Sequence, residues 1–84
     1  MSKEEHLKIG RELGNNIKKF RILCNMTQAQ LAEAADCSDD KISQYELGKL
    51  QPDMIFVRII ADCLNVTLDI LLPPIGGYCN YVNR

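Results

Sequence analysis

Apolar residues recur along this 84-residue chain at helical intervals, and the body of the chain has no alternation long enough for a strand. The first segment, residues 4–24, carries them at intervals of four, three and four residues, as Leu13, Ile17, Phe20 and Cys24. Gly10 and Gly14 are poor helix formers, so we expect the first dozen residues to be frayed or to form a separate turn. The pattern predicts an amphipathic helix with a weak N-terminal part.

Four further helices are predicted from the residues that begin and end them. Their N-capping residues are Thr27, Ser38, Asp53 and Thr67. Gln30 follows Thr27 at the spacing of a capping box. The residues that end these helices either tolerate left-handed backbone or cannot continue a helix, and they are Asp36, Gly48, Asn65 and Pro73-Pro74. The expected fold is all-α, with five helices and short connections.

The fourth predicted helix has two apolar faces. The expected core face consists of Met54, Val57, Ile60, Ala61 and Leu64. A second apolar stripe consists of Ile55, Ile59 and Cys63, and Ile70 is a neighbour of this stripe. Phe56 is also expected to lie away from the core. Because a contiguous exposed apolar stripe usually marks an interface, we predict a symmetric homodimer through the fourth and fifth helices, helped by Tyr78 and Tyr81. The alternative is that residues 73–84 fold back over this stripe in the same chain.

The second and third helices meet the physical requirements of a helix-turn-helix. That motif needs an apolar anchor, a small residue where the helices approach, a turn residue with unusual backbone angles, an apolar plug and two inward anchors. The chain supplies these in order as Leu31, Ala32, Asp36, Cys37, and Ile42 with Tyr45.

Three sequence blocks resemble the Cro/C1-type (xenobiotic-response-element) helix-turn-helix regulators. They are TQAQLA at 27–32, ISQYE at 42–46 followed by Gly48-Lys49 and Pro52, and the segment 61–72. The resemblance implies a five-helix, lambda-repressor-like DNA-binding domain over residues 13–72. Residues 1–12 are then a partly helical N-terminal extension, and residues 73–84 are a tail that contributes to dimerisation.

The resemblance also implies which residues contact double-stranded DNA. The third helix would lie in the major groove, with base contacts from Asp39, Asp40, Lys41, Ser43 and Gln44. The side-chain amide of Gln44 matches the edge of adenine, and Lys41 would donate to guanine. Asp39 or Asp40 would accept from cytosine N4. Each has a plainer interpretation: the acids as partners of the helix dipole, Gln44 as solvated surface, and Lys41 as an intrahelical partner.

Phosphate contacts and one ion pair complete the implied site. The phosphate contacts are Gln28, Gly48, Lys49, Lys18 and Lys19, although the last two also fit a solvated helix face. Arg21 and Glu46 would pair and fix the first helix to the third, or else they are two independent surface charges. The implied function is a small dimeric transcriptional regulator, a repressor rather than an activator.

The charge balance counts against DNA binding. The chain has 10 basic and 11 acidic residues, for a net charge of -1, whereas most isolated DNA-binding domains are basic. Two of these acids, Asp39 and Asp40, lie on the third helix, where their charge opposes the approach of DNA. The alternative function is therefore a protein-interaction module that keeps the helix-turn-helix fold with weak or no DNA binding.

Other classes of function find little support. The four cysteines include no C-x-x-C pair and the single histidine is His6, so we expect no metal site and no cofactor. No nucleophile lies beside a base, which argues against an enzyme. No apolar segment is long enough for a signal or a membrane span, so we expect a cytoplasmic, nucleoid-associated protein with reduced thiols, Cys24 and Cys37 being buried. The sequence names no small-molecule effector.

Overall fold

The computed structural model describes residues 3–72, with side chains from residue 10 onward. Within this part of the chain there are five helices and no strand: α1 (Lys3–Leu23), α2 (Gln28–Ala34), α3 (Asp39–Leu47), α4 (Met54–Leu64) and α5 (Leu68–Leu71). The predicted all-α fold of five helices is confirmed. Tyr78 and Tyr81, predicted at the dimer interface, lie outside the described residues.

The first helix is continuous from Lys3 to Leu23. The expected fraying or separate turn in the first dozen residues is therefore wrong. Gly10 and Gly14 are both buried, and Gly14 lies against the backbone of α3. The close approach of α3 at Gly14 offsets the intrinsic helix penalty of that glycine, which is about 1 kcal/mol.

The four predicted N-caps are all present. In each, the side-chain oxygen accepts a hydrogen bond from a backbone N–H three residues later, at Thr27, Ser38, Asp53 and Thr67. Thr27 also donates its own N–H to Gln30 Oε1 at 2.8 Å, so the capping box is complete. Each cap satisfies backbone donors that would otherwise lack a partner at a helix start.

The predicted helix ends within residues 3–72 are also confirmed. Asp36, Gly48 and Asn65 adopt positive φ values of 59°, 77° and 60°. Asn25, after α1, does the same at 59°. These left-handed residues turn the chain sharply, so α2 and α3 are separated by only the short segment that a helix-turn-helix requires.

A single core unites the five helices. It consists of Leu13, Ile17, Leu31, Ala32, Ile42, Tyr45, Val57, Ile60, Ala61, Leu64 and Leu71. The last turn of α5 is tied to α1 by a hydrogen bond from Asn16 Nδ2 to the Leu71 carbonyl oxygen at 2.8 Å. No local feature of the sequence predicts this bond, because its partners are 55 residues apart.

The face of α4 differs from the prediction at two residues. Met54, expected in the core, is 59% exposed, because it is the first residue of α4 and lies three residues before the nearest core position, Val57. Phe56, expected away from the core, is half-buried and packs against Tyr45 with ring centroids 5.3 Å apart. Phe56 therefore packs against the edge of the core through an aromatic contact between α4 and α3.

The cysteines are less buried than expected. Cys24 is exposed, and Cys37 is half-buried, so the prediction that both are buried is wrong. Cys24 lies just beyond α1, where its thiol donates to the Leu64 carbonyl oxygen at 3.4 Å. Cys37 packs against the edge of the core, as expected for the plug of the turn. None of the helices described is both long and apolar enough to cross a membrane.

Candidate nucleic-acid interface

A buried ion pair joins α1 to α3. Arg21 Nε donates to Glu46 Oε2 at 2.6 Å and Arg21 Nη2 donates to Glu46 Oε1 at 3.2 Å, with the two side chains 10% and 3% exposed. Arg21 Nη1 also donates to the Met26 carbonyl oxygen at 2.7 Å. The two hydrogen bonds between the guanidinium and the carboxylate fix both the distance between these groups and their relative orientation. The pair implied by the family resemblance is thus present.

The same carboxylate holds the first residue of α2. Gln28 Nε2 donates to Glu46 Oε1 at 3.0 Å. Gln28 was predicted as a phosphate contact, and the structure holds its side chain in a fixed place beside α3. Glu46 therefore links α3 to both α1 and α2. No buried side-chain nitrogen or oxygen among the described residues lacks a hydrogen-bond partner.

The outer face of α3 is polar over most of its length. Ile42, Tyr45 and Glu46 are buried, so the helix is anchored on one side only. The five predicted base-reading residues all lie outside the core: Asp39, Asp40 and Lys41 are exposed, and Ser43 and Gln44 are half-buried. The structure brings these five together on one short helix.

Two of these residues already interact with each other. Gln44 Nε2 donates to Asp40 Oδ2 at 2.9 Å, across one turn of the outer face of α3. Hydrogen bonds between residues four apart stabilise helices slightly. In this protein the bond also orients the side-chain amide of Gln44. The contact predicted between Gln44 and adenine took no account of a neighbouring side chain.

Lys41 lies at the α4 side of the helix. Its Nζ is 5.6 Å from the centroid of the Phe56 ring, within the range of a cation–π contact. Phe56 in turn packs on Tyr45, so Lys41 extends this cluster at the surface. The intrahelical partner considered for Lys41 is therefore replaced by an aromatic ring on the next helix.

Leu47 is a surface residue that the sequence analysis missed. It is the last residue of α3 and is 61% exposed. The signal was available, since Leu47 follows Ser43 and Gln44 at intervals of four and three residues and therefore shares their face. An apolar side chain thus ends the polar outer face of α3.

The turn after α3 uses its backbone amides internally. The N–H of Gly48 bonds to Tyr45, and those of Lys49 and Leu50 bond to the Gln44 carbonyl oxygen. A methyl group on Gly48 would lie 2.8 Å from Arg11 Cγ, so the turn packs closely on α1. The Gly48 amide predicted to contact phosphate is already hydrogen-bonded, whereas the Lys49 side chain is exposed.

Lys18 and Lys19, the less defined phosphate candidates, both lie exposed on α1. Lys19 Nζ is 5.4 Å from the centroid of the Phe20 ring beside it. The buried residues of this part of the helix are Ile17, before the two lysines, and Arg21, after them. Their surroundings fit a solvated helix face as well as a phosphate contact.

The second stripe of α4 is largely open to solvent. Ile55 is 76% exposed, Ile59 38%, and Ile70, on α5, 53%. Cys63, the fourth predicted interface residue within residues 3–72, is half-buried, and burial together with the nearby Asp62 carboxylate raises the pKa of its thiol. The apolar residues expected on this surface are therefore exposed, with Cys63 recessed among them.

Comparison with known proteins places this arrangement in a family. Residues 17–71 match the family described as helix-turn-helix. The chain is 38% identical over 61 residues to the HTH-type transcriptional activator BcrR of Enterococcus faecalis, an alignment that covers 73% of this chain and 30% of BcrR. It is 34% identical over 61 residues to the HTH-type transcriptional regulator YazB of Bacillus subtilis (strain 168), covering 73% of this chain and 88% of YazB.

Solved structures agree on the fold. The clp gene regulator ClgR from Corynebacterium glutamicum superposes with a TM-score of 0.72 at 25% identity, covering 75% of this chain and 82% of that chain. A second structure of ClgR gives a TM-score of 0.74 at 22% identity, over 89% and 81% of the two chains. Sequence blocks, helix arrangement and relatives agree, and the chain belongs to the Cro/C1-type helix-turn-helix family of transcriptional regulators.

Proposed function

We propose that this protein binds double-stranded DNA sequence-specifically as a homodimer, with α3 in the major groove, and that it represses transcription. The observation that carries the proposal is the one-sided anchoring of α3. Ile42, Tyr45 and Glu46 hold its inner face, while the outer face presents polar side chains beside a fixed Gln28. A rigid helix with hydrogen-bonding groups on its free side is what major-groove reading requires. Membership of this regulator family itself implies DNA binding.

Base reading is assigned by chemistry. Gln44 offers a donor and an acceptor that match adenine N7 and N6, and Ser43 contacts either kind of group. Asp39 or Asp40 accepts from cytosine N4, and Lys41 donates to guanine. To reach a base, Lys41 leaves the Phe56 ring, which costs about 0.5–1 kcal/mol for an exposed cation–π contact.

Phosphate contacts come from residues around this helix. Gln28 is held in place by Glu46, and the exposed Lys49 follows the Gly48 turn. Because the Gly48 amide is already hydrogen-bonded, we assign the contact at this turn to the Lys49 side chain. Lys18 and Lys19 add positive charge on α1, which partly offsets the acids of α3 at long range.

The homodimer is proposed through the stripe formed by Ile55, Ile59, Cys63 and Ile70. Isolated exposed aliphatic residues are ordinary, but a stripe along one helix and onto the next is typical of an interface. A two-fold axis through this surface would present two copies of α3 to half-sites about 34 Å apart, one turn of DNA. Dimerisation thus doubles a contact surface that is small in one copy.

Repression follows from occupancy alone. A dimer bound across a promoter blocks the polymerase without any further contact, whereas activation needs an additional productive contact with the transcription machinery. BcrR is named an activator, and this chain spans 30% of its length. In transcription in vitro, with the selected operator placed across the promoter, we expect added protein to lower transcript yield. A rise in yield would assign activation instead.

The experiment that tests DNA recognition is selection from random double-stranded DNA at low salt, followed by sequencing. We expect a palindrome whose half-sites are about one helical turn apart. Affinity for that site should fall steeply with salt, and Lys49→Ala should reduce the log–log slope by about one unit. Arg58→Ala is the matched control, because Arg58 is an exposed cation on α4 and is not among the proposed DNA contacts; its slope should equal that of the wild type.

A protein-interaction module is the second candidate, and the acids of α3 favour it. Asp36, Asp39 and Asp40 are all exposed around the start of α3, where they oppose the approach of phosphate. If the folded protein enriches no DNA sequence and its residual binding has a shallow salt dependence, this function replaces DNA recognition. Asp39 and Asp40 would then be the first contacts to substitute.

A further inference from the structure

We infer that Asp40 is a positioning residue that makes Gln44 select adenine over guanine. The inference rests on the proposed placement of α3 in the major groove. It assigns a positioning function to an acid whose charge opposes the approach of DNA phosphate. Its structural basis is the 2.9 Å hydrogen bond from Gln44 Nε2 to Asp40 Oδ2 on the outer face of α3.

The carboxylate determines which end of the Gln44 amide faces it. An ionised carboxylate only accepts hydrogen bonds, so the amide nitrogen of Gln44 must turn toward Asp40 and the amide oxygen away from it. A glutamine without such a neighbour presents its nitrogen and oxygen in either order. Asp40 therefore fixes the order of donor and acceptor that Gln44 presents.

The bond also consumes one of the two amide hydrogens of Gln44. The remaining hydrogen and the oxygen form one donor and one acceptor, which is the pattern that complements N7 and N6 of adenine. Guanine presents two acceptors, N7 and O6, and a free glutamine amide can donate to both with its two hydrogens. With one hydrogen held by Asp40, that second mode of binding is lost.

Negative charge adds to the discrimination. The Asp40 carboxylate lies one helical turn from Gln44, so an acceptor-rich guanine edge placed at Gln44 also meets a repulsive oxygen. Adenine avoids this repulsion because its N6 group is a donor. Asp40 thus weakens binding to all DNA through phosphate repulsion while it sharpens the choice between two purines.

The test is competitive binding to the selected operator and to variants with guanine in place of adenine at one position. Gln44→Ala identifies that position as the one where base preference is relaxed. For the wild type we expect a preference of about tenfold or more for adenine, as for a good bidentate contact. In Asp40→Ala the preference should fall at least about threefold, while binding to both sequences becomes tighter.

Two matched variants separate positioning from charge. Asp39→Asn removes the same charge from the same turn of α3 but leaves the bond between Gln44 and Asp40 intact, so the adenine-to-guanine ratio should stay at the wild-type value. Asp40→Asn keeps an acceptor oxygen and loses the charge, so it should retain more of the preference than Asp40→Ala. A purely electrostatic effect would make Asp39→Asn and Asp40→Asn equivalent.

The possible results separate the inference about Asp40 from the proposed DNA binding. An unchanged ratio in Asp40→Ala, or an equal change in Asp39→Asn, overturns the inference and leaves DNA binding standing. Failure of the wild type to enrich any sequence overturns both. In the DNA-free protein, the side-chain amide resonances of Gln44 should shift in Asp40→Ala and stay in place in Asp39→Asn; unshifted resonances in Asp40→Ala would also overturn the inference.

Discussion

Gly14 of α1 lies directly against the backbone of Tyr45 and Glu46 in α3. A methyl group on Gly14 would lie 2.8 Å from the Glu46 carbonyl oxygen and closer still to that of Tyr45. At this crossing, glycine lets the two helices approach backbone to backbone. The position of the proposed recognition helix is therefore set by the smallest residue of α1 as well as by the Arg21–Glu46 pair.

Gly14→Ala should destabilise the protein by about 1–3 kcal/mol, because overpacking at a rigid backbone contact forces the helices apart. In an ordinary helix the same change gains up to about 1 kcal/mol. Gly10→Ala is the matched control, since the nearest atom to a methyl group there is in the flexible Gln51 side chain, 3.8 Å away. Urea denaturation gives the free energy of unfolding of both variants, and equal values would contradict the close contact between Gly14 and the backbone of α3.

The buried ion pair predicts strong coupling between its partners. Arg21→Met leaves the Glu46 carboxylate buried without its cation, which should cost about 3–5 kcal/mol. Replacing both residues, as Arg21→Met with Glu46→Leu, should cost much less than the sum of the single changes, because no uncompensated charge remains. A double-mutant cycle by urea denaturation measures this, and additive losses would contradict it.

A conservative variant keeps this test informative if Arg21→Met does not fold. Arg21→Lys retains the charge but cannot make the two-point contact with Glu46 or the bond to Met26, so we expect an intermediate loss. If Arg21→Met is unfolded, recovery of a cooperative transition in the double variant gives the same answer as the cycle. A double variant that is also unfolded would mean that the pair stabilises the fold more than an apolar replacement does.

The thiols should differ in reactivity. Burial is the main cause that raises the pKa of both the Cys37 and the Cys63 thiol. At Cys37, the Lys41 cation partly lowers the pKa, and the Asp36 carboxylate raises it further. Since the thiolate is the nucleophile, both should react with iodoacetamide at pH 7.5 more slowly than the exposed Cys24. Site-resolved mass spectrometry measures the three rates, and equal rates would contradict the burial described.

These pKa shifts also have a direction for stability. The folded state holds the Cys37 and Cys63 protons more tightly than the unfolded chain does. Their contribution is therefore fully present below the ordinary thiol pKa and is lost as the pH rises from that value through the raised one. Cys63→Ala should flatten the fall of the unfolding free energy above pH about 8.5.

Local chemistry made the helix boundaries predictable. Each N-cap bond joins residues three positions apart, as from Ser38 to Lys41, and the left-handed ends at Asp36 and Asn65 depend on the residue itself. The bond from Gln44 to Asp40 is equally local, and the spacing of four residues was visible in the sequence. Contacts of this kind can be derived before the fold is known.

Contacts between distant segments were not predictable in the same way. The weak-looking Gly14 is explained only by α3, which begins 25 residues later, and Asn16 bonds a carbonyl oxygen 55 residues away. Met54 has the helical phase of a core residue, but its exposure depends on where the helix end lies relative to the others. Arg21 and Glu46 were paired correctly because the family resemblance supplied the distant contact.

The open stripe on α4 and α5 predicts that a single charge disrupts the proposed homodimer. Ile55→Glu should yield a monomer in sedimentation experiments and much weaker operator binding, because burying an aliphatic side chain gains about 1.5–3 kcal/mol and a carboxylate at the interface reverses that gain. The folded state should be retained, since Ile55 is 76% exposed. Ile22→Glu is the matched control, as Ile22 is 54% exposed on α1 and should leave the dimer intact. If wild type and Ile55→Glu have the same mass and DNA affinity, this surface is not the dimer interface.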